Sequence, residues 1–143
     1  MIQLNMAPNQ KRWRFVIVLS GLATIYGTIL AYRLLYYQSD AISDILKMSG
    51  LIFVVSLILS YVWWSVVTTR LSGAKGGAVA AVLTAISIIP VPTFAGAFKG
   101  EFLVTHNLIS SVRAGLTYSL STFSAAEALA LPLCAIAGYV LAR

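Results

Sequence analysis

The chain has 143 residues, of which 59% are hydrophobic and only 10% are charged, and its mean hydropathy is +0.89. Soluble domains are about 45–50% apolar and about 25% charged, so this composition argues strongly against a water-soluble globule. Ten Lys and Arg against four Asp and Glu give a net charge of +6. The basic residues lie at the ends of apolar runs, where they orient membrane helices and meet anionic headgroups. The composition therefore predicts a lipid bilayer as partner and no nucleic acid.

The residue types that carry enzyme chemistry are nearly absent. One cysteine and one histidine cannot form a cluster with metal-ligand spacing. The sequence contains no Ser/His/Asp set, no paired carboxylates and no Gly-rich phosphate loop after a strand. We therefore predict that the protein is not an enzyme and holds no metal and no cofactor.

The first apolar run is uncharged over residues 15–32 and follows a polar, then basic segment, 1–14. It is longer than a typical signal-peptide core, and no small-x-small cleavage site follows before Arg33. We predict an uncleaved first membrane helix over about 15–36, behind a cytoplasmic tail at 1–14.

Two further uncharged runs predict a helical hairpin. Residues 48–69 indicate a second helix over about 45–69, and a short basic turn joins it to a third helix over 76–98. Pro90 and Pro92 lie inside that third helix. A proline has no N–H, so a carbonyl four residues earlier loses its helical partner, and lipid cannot replace it. The third helix should therefore be broken or kinked there, with the freed carbonyls facing protein or water.

Aromatic side chains crowd the far end of the second helix, at Tyr61, Trp63 and Trp64. Two interpretations apply. They are anchors at the membrane interface, or they form an aromatic lining for a cationic or planar ligand.

The last apolar run holds a single charge, Glu127, between Arg113 and Arg143. We predict a fourth helix over about 116–142, after a link at 99–115 for which an interfacial helix is plausible. The expected fold is therefore an all-α membrane protein. Its single transmembrane domain, 1–143, is a bundle of four transmembrane helices with the third helix interrupted at its prolines.

Lys and Arg counts predict the orientation in the membrane. With four spans, the N-terminal segment, the 70–75 turn and the C-terminus share a side, which carries six basic residues against four on the other side. The positive-inside rule then places both termini in the cytoplasm. We expect a multi-pass protein of a prokaryotic inner membrane.

Small residues recur at four-residue spacing on the third and fourth helices, and such faces let backbones approach closely. These faces pack helices within one chain, or one of them docks a second copy or another subunit. The predicted helix-packing residues are Gly73, Gly77, Ala81, Ala126, Ala130 and Gly138.

Glu127 is the main candidate site, because an ionised carboxylate at the middle of a membrane helix costs at least ~2.5 kcal/mol. Helical phase puts Ser124 on its face, and depth along antiparallel helices puts it near the level of Pro90. Either a protonated Glu127 donates to a freed carbonyl, or an ionised Glu127 and nearby oxygens line a cation or proton site. The predicted ion or proton site comprises Glu127, Ile86, Ile88, Ser87, Thr93 and Ser124.

Two functions follow from these patterns. The first is a small integral membrane subunit or accessory protein that packs through small-residue faces into a homo-oligomer or a larger membrane complex. The alternative is a proton- or cation-coupled small transporter or channel centred on Glu127, near the proline break of the third helix.

Overall fold

The computed structural model describes residues 8–35, 41–121 and 125–143, with side chains except those of residues 30, 31, 33–35, 41 and 125–129. Every regular element in these ranges is a helix, which confirms the all-α class. In chain order the helices are α1 (Pro8–Leu35), α2 (Ala41–Thr68), α3 (Gly73–Ile88), α4 (Pro90–Thr105), α5 (Leu108–Ser121) and α6 (Ala125–Ala142).

The first helix begins earlier than the hydropathy of the sequence indicates. α1 starts at Pro8, so the basic residues of the predicted tail 1–14 lie on the first turns of a helix. Proline is favoured at the first helical position, because its φ is already helical and its missing N–H would have no partner there. Residues 1–7 lie outside the described ranges.

The interruption of the predicted third helix is a single residue, Ile89, between α3 and α4. Ile89 keeps right-handed helical angles, φ −49° and ψ −44°, and its N–H donates to the carbonyl of Ala85 at 2.9 Å. Pro90 then opens α4 at a position where its missing N–H costs little. The helical stretch therefore continues through the prolines, from Gly73 to Thr105.

The segment 99–115 differs from the link that the sequence predicts. α4 continues to Thr105, and α5 starts at Leu108 after a tight turn. His106 adopts the left-handed conformation with φ 51°, and the side-chain oxygen of Asn107 accepts the N–H of Ile109 at 3.0 Å, which caps α5. Residues 99–115 thus comprise the end of α4, the turn and the start of α5, which together form the tip of a helical hairpin. The predicted fourth helix corresponds to α5 and α6, with residues 122–124 outside the described ranges.

The described helices form two regions. We call α1, α2, α3 and α6 the four-helix unit: α1 pairs with α2, α3 pairs with α6, and α2 also packs on α3. The α4–α5 hairpin pairs closely within itself and touches the four-helix unit only lightly. A cluster of buried apolar residues lies within the four-helix unit and comprises Phe15, Val16, Leu19, Val67, Ala80 and Ala81.

Two stretches of the described chain are long and apolar enough to cross a membrane. They are Ile42–Thr68, with mean hydropathy 2.1, and Gly73–Thr105, with mean hydropathy 2.0. A shorter apolar helix covers Ala130–Ala142. At about 1.5 Å per residue the first two exceed the ~30 Å of a bilayer's hydrocarbon core.

Candidate functional site

The contact between α3 and α6 is made by small residues. A Cβ atom added to Gly77 would lie closer than 3 Å to Ala142 and to the backbone of Gly138, and one added to Gly138 would meet the backbone of Gly77 and the methyl group of Ala81. Real Cβ atoms do not approach backbone so closely, so glycine is required at both positions. Three of the predicted packing residues, Gly77, Ala81 and Gly138, therefore meet in one contact inside the chain.

The other predicted packing residues lie elsewhere. Gly73 is exposed and opens α3 with φ 67°, and no atom lies within 4 Å of a Cβ built there, so it serves a turn and not a helix contact. Ala130 is half-buried and lines a cavity described below. The side chain of Ala126 is outside the described part of the molecule.

Hydroxyl groups fill the contact between α1 and α2. The side chains of Ser20, Ser56 and Ser60 are fully buried, and the hydroxyls of Ser20 and Ser60 lie 3.5 Å apart across the two helices. Farther along, the hydroxyls of Thr28 and Ser49 are 2.8 Å apart. Several of these hydroxyls also donate to a carbonyl of their own helix, as Ser60 does to Ser56 at 2.6 Å, so burying them leaves no donor unpaired. The spacing of these residues along either helix does not by itself indicate that they face each other.

The α4–α5 hairpin follows the same pattern. The face of α5 that is buried against α4 carries Ser111, Gly115 and Ser119 at four-residue spacing. A Cβ atom added to Gly115 would lie 2.8 Å from the ring of Phe94. On α4, Phe94, Phe98 and Phe102 form a row with ring centroids about 6 Å apart.

Large apolar side chains, by contrast, point outward. Ile58 and Ile136 are 58% and 62% exposed, and Ile109 and Leu120 on α5 are 80% and 79% exposed. In water this arrangement would be unfavourable by about 25 cal/mol for each Å² of exposed apolar surface. Small and hydroxyl residues between helices, with large apolar residues outside, are typical of helices surrounded by lipid.

The predicted acid site is only partly described. Glu127 lies in the first turn of α6, but its side chain and all of Ser124 are outside the described part. The register of α6 against α3 gives the height of the Glu127 backbone. Glu127 lies before Gly138 and Pro92 lies after Ala81, and the two separations along the sequence are equal. Gly138 and Ala81 are in contact, so extending this antiparallel register brings the Glu127 backbone level with the proline segment.

The described oxygen atoms of the predicted site do not converge on one point. The hydroxyl of Ser87 accepts the indole N–H of Trp63 at 3.0 Å and donates to Leu83, so it faces α2. The hydroxyl of Thr93 donates to the carbonyl of Pro90 at 3.0 Å. Ile88 is buried, whereas Ile86 is 47% exposed. The Ser87–Trp63 bond gives Ser87 a structural partner that spacing within one helix does not reveal.

A cavity of about 110 Å³ lies beside the helix interruption, between α1, α3 and α6. Its walls are almost entirely apolar. Among the lining residues, Thr84 donates its hydroxyl to its own helix at Ala80, and Tyr26 has a polar or ring contact of its own. The described lining therefore contributes no charge to a cation. The remaining walls are Leu19, Leu22, Ala23, Ala85, Ile88, Ile89, Ala130 and Cys134.

The aromatic cluster of α2 is used by other parts of the chain. The guanidinium of Arg12 lies 4.9 Å from the ring centroid of Tyr61, in cation–π distance, and also donates to its hydroxyl at 3.4 Å. Trp63 bonds to Ser87, and Trp64 packs on Phe15 with centroids 4.6 Å apart. The cation that this cluster meets is thus the chain's own arginine.

An open groove of about 470 Å³ runs along α5 on the outside of the hairpin, and Glu101 is its lining residue on α4. Its lining carries Glu101 and Arg113, two charges of opposite sign, and a row of hydroxyl side chains on α5. The lining residues are Glu101, Ser110, Arg113, Ala114, Thr117, Tyr118 and Ser121. Sequence analysis did not identify this surface, although the spacing of its α5 residues follows one helix face.

No protein-family model matches the chain, and the searches of curated proteins and of solved structures likewise found no match.

Proposed function

We propose that the chain is a multi-pass integral membrane protein that works as a small subunit or accessory protein within an oligomer or a larger membrane complex. The observation that carries this proposal is the inverted distribution of side chains. Gly77 and Gly138 fill one helix contact and Ser20 and Ser60 another, while isoleucine and leucine side chains cover the outside. Lipid satisfies such a surface, and close backbone contact replaces the hydrophobic effect between helices.

The ends of the helices support an even number of crossings with both termini in the cytoplasm. The ammonium group of Lys11, near the start of α1, donates to the backbone carbonyl of Arg143 at 3.1 Å. The turn between α2 and α3 lies at the same end, since Pro8, Ser72 and Ala142 line one pocket there. This end carries the larger share of basic residues, and the positive-inside rule assigns it to the cytoplasm.

The described features that could form an internal site are already used by contacts within the chain, which supports assembly through the outer surface as the work of the chain. The small-residue face of α3 is already used by α6, and the aromatic cluster of α2 is occupied by Arg12. The α4–α5 hairpin has the fewest neighbours, because α5 contacts only α4 among the described helices. A helix with one neighbour offers the rest of its surface to lipid or to another protein.

Mass measurement of the protein in its membrane tests this proposal. The chain, extracted into nanodiscs from its source membrane, should occur in particles that hold two or more copies of the 15.4 kDa chain or include another subunit. Reporter domains fused after Arg143 or inserted at Ser72 should both be cytoplasmic. A 15.4 kDa monomer without any partner would overturn the assembly role, and reporters on opposite sides would overturn the topology.

The register that brings the Glu127 backbone level with the proline segment favours a second candidate, proton or cation transfer. Pro90 and Pro92 cannot donate to the carbonyls of Ile86 and Ile88, which leaves acceptors near that level. Glu127→Gln separates the two roles, because glutamine still donates a hydrogen bond but cannot ionise. A transfer role predicts intact assembly with lost flux in liposomes that contain a pH-sensitive dye, whereas Asp44→Asn, a control at an acid that pairs with Lys47 and Lys99, keeps the flux. Unchanged flux in Glu127→Gln, or no flux in the wild type, rejects transfer.

A further inference from the structure

We propose that the groove along α4 and α5 binds a second copy of this chain, with Glu101 of each copy paired to Arg113 of the other. This inference rests on the proposed function, because it names the partner and the surface of the assembly. The inference assigns the assembly surface to the hairpin, because the small-residue faces of α3 and α6 already contact each other within the chain.

The three faces of α5 have different chemistry. One face is buried against α4 through Ser111, Gly115 and Ser119. A second, which includes Ile109 and Leu120, is large, apolar and exposed, as a lipid-facing surface requires. The third face lines the groove with Ser110, Arg113, Thr117 and Ser121, which recur at three- or four-residue steps. Lipid suits the second face, but a surface with a charge and a row of hydroxyls suits a protein.

The two charges of the groove are not paired within the described chain. Neither Glu101 nor Arg113 forms an ion pair with any described residue, although both line the same groove. Asp44 provides the contrast, because its carboxylate lies 3.7 Å from Lys47 and 3.4 Å from Lys99. Glu101 and Arg113 therefore keep their charge available to a partner.

The positions of these charges fit a two-fold symmetric contact. α4 and α5 are antiparallel around the turn at His106, and Glu101 of α4 lines the same groove as Arg113 of α5. In a two-fold contact each residue meets its counterpart reciprocally. An axis along the membrane normal brings the grooves of the two copies together at one level, so the acid of each copy meets the base of the other within the shared groove. The small hydroxyl residues of the groove let the two α5 helices approach.

Charge reversal tests the pairing between copies. Glu101→Arg alone, or Arg113→Glu alone, brings like charges together twice in a dimer, and we expect each to weaken self-association in nanodiscs by on the order of tenfold or more. When chains carrying Glu101→Arg are co-expressed with differently tagged chains carrying Arg113→Glu, both pairs between copies are complementary again, one with its sign reversed and the other as in the wild type. The mixture should therefore form heterodimers almost exclusively, whereas two differently tagged wild-type chains mix statistically. Lys75→Glu, at an exposed position on α3, is the matched control and should mix like the wild type.

The outcomes separate this inference from the proposed function. Single reversals that dimerise like the wild type would show that another face makes the assembly, and the inference fails while the assembly role stands. If the double variant Glu101→Arg/Arg113→Glu recovers self-association but the mixture shows no preference for heterodimers, the two charges pair within one chain, and the inference again fails. If the wild type binds only a different subunit, the groove does not serve a second copy. A wild-type chain that is monomeric and without any partner contradicts both proposals. Retained helical circular dichroism in every variant shows that the chains are folded.

Discussion

The four-helix unit and the α4–α5 hairpin use the same kind of contact but have different numbers of neighbours. In the four-helix unit, α3 meets α6 through glycine backbone and also packs on α2, where Trp63 donates to Ser87. In the hairpin, α5 meets α4 alone among the described helices. The comparison indicates that a helix pair closes with small residues in either region, while the two charges of the hairpin groove have no ion-pair partner among the described residues. The hairpin leaves a charged groove open, which is why we place the assembly surface there.

The largest effect is expected where backbone meets backbone. Gly138→Leu forces a side chain against the carbonyl of Gly77 and the methyl of Ala81, neither of which can move without separating α3 from α6. We expect the free energy of unfolding in detergent to fall by about 3 kcal/mol or more. Gly96→Leu on α4 is the matched control, because no atom lies within 4 Å of a Cβ built there. Equal stability of the two variants in a denaturant titration would contradict the assigned α3–α6 contact.

A smaller effect is expected in the hairpin. Gly115→Leu meets mainly the ring of Phe94, a side chain that can rotate, although the Phe94 carbonyl is also 3.1 Å from the added Cβ atom. Overpacking that a side chain absorbs costs about 1–2 kcal/mol, and the loss should stay local. Hydrogen exchange should therefore quicken in α4 and α5 and stay unchanged in α1 and α2. Faster exchange throughout the four-helix unit would mean that the two regions are not separable.

The smallest of these effects tests the partner of Ser87. Ser87→Ala removes the acceptor of the Trp63 indole N–H, and an interhelical hydrogen bond of this kind contributes about 0.6–2 kcal/mol in membranes. We expect a loss near the lower end of that range, with a shift in the Trp63 emission spectrum. Thr93→Ala is a control, because the Thr93 hydroxyl donates to the carbonyl of Pro90 in its own helix. An unchanged emission spectrum in Ser87→Ala would contradict the bond.

Local features of the sequence predicted much of the fold. The uncharged runs indicate the long helices, and Pro90 marks the point where α3 passes into α4. The charged residues within 99–115 suggest a link between helices. In the structure α4 continues to Thr105 and α5 begins at Leu108, with Asn107 as its cap. A capping residue next to a left-handed His106 is a local signal, but hydropathy alone does not register it.

Contacts between helices were less accessible to sequence reasoning. The contact between the hydroxyls of Ser20 and Ser60 can be predicted only once α1 is known to lie against α2. Ser87 has the right height for the predicted acid site, yet its hydroxyl points to Trp63 on another helix. Spacing along one helix fixes which residues share a face, but the neighbour of that face depends on the arrangement of all the helices. The ion or proton role of Glu127 stays a prediction.

The most direct test of the account is whether its exposed apolar surface faces lipid. Spin labels placed at Ile58 and Ile136, in a Cys134→Ala background and in lipid bilayers, report collisions with apolar oxygen and with a water-soluble nickel chelate. Ser72, exposed at the turn between α2 and α3, is the water-facing control. We predict high oxygen and low nickel accessibility at both isoleucine positions, and high nickel accessibility at Ser72. Nickel accessibility at Ile58 and Ile136 equal to that at Ser72 would place these faces in water and contradict the inverted, lipid-facing arrangement.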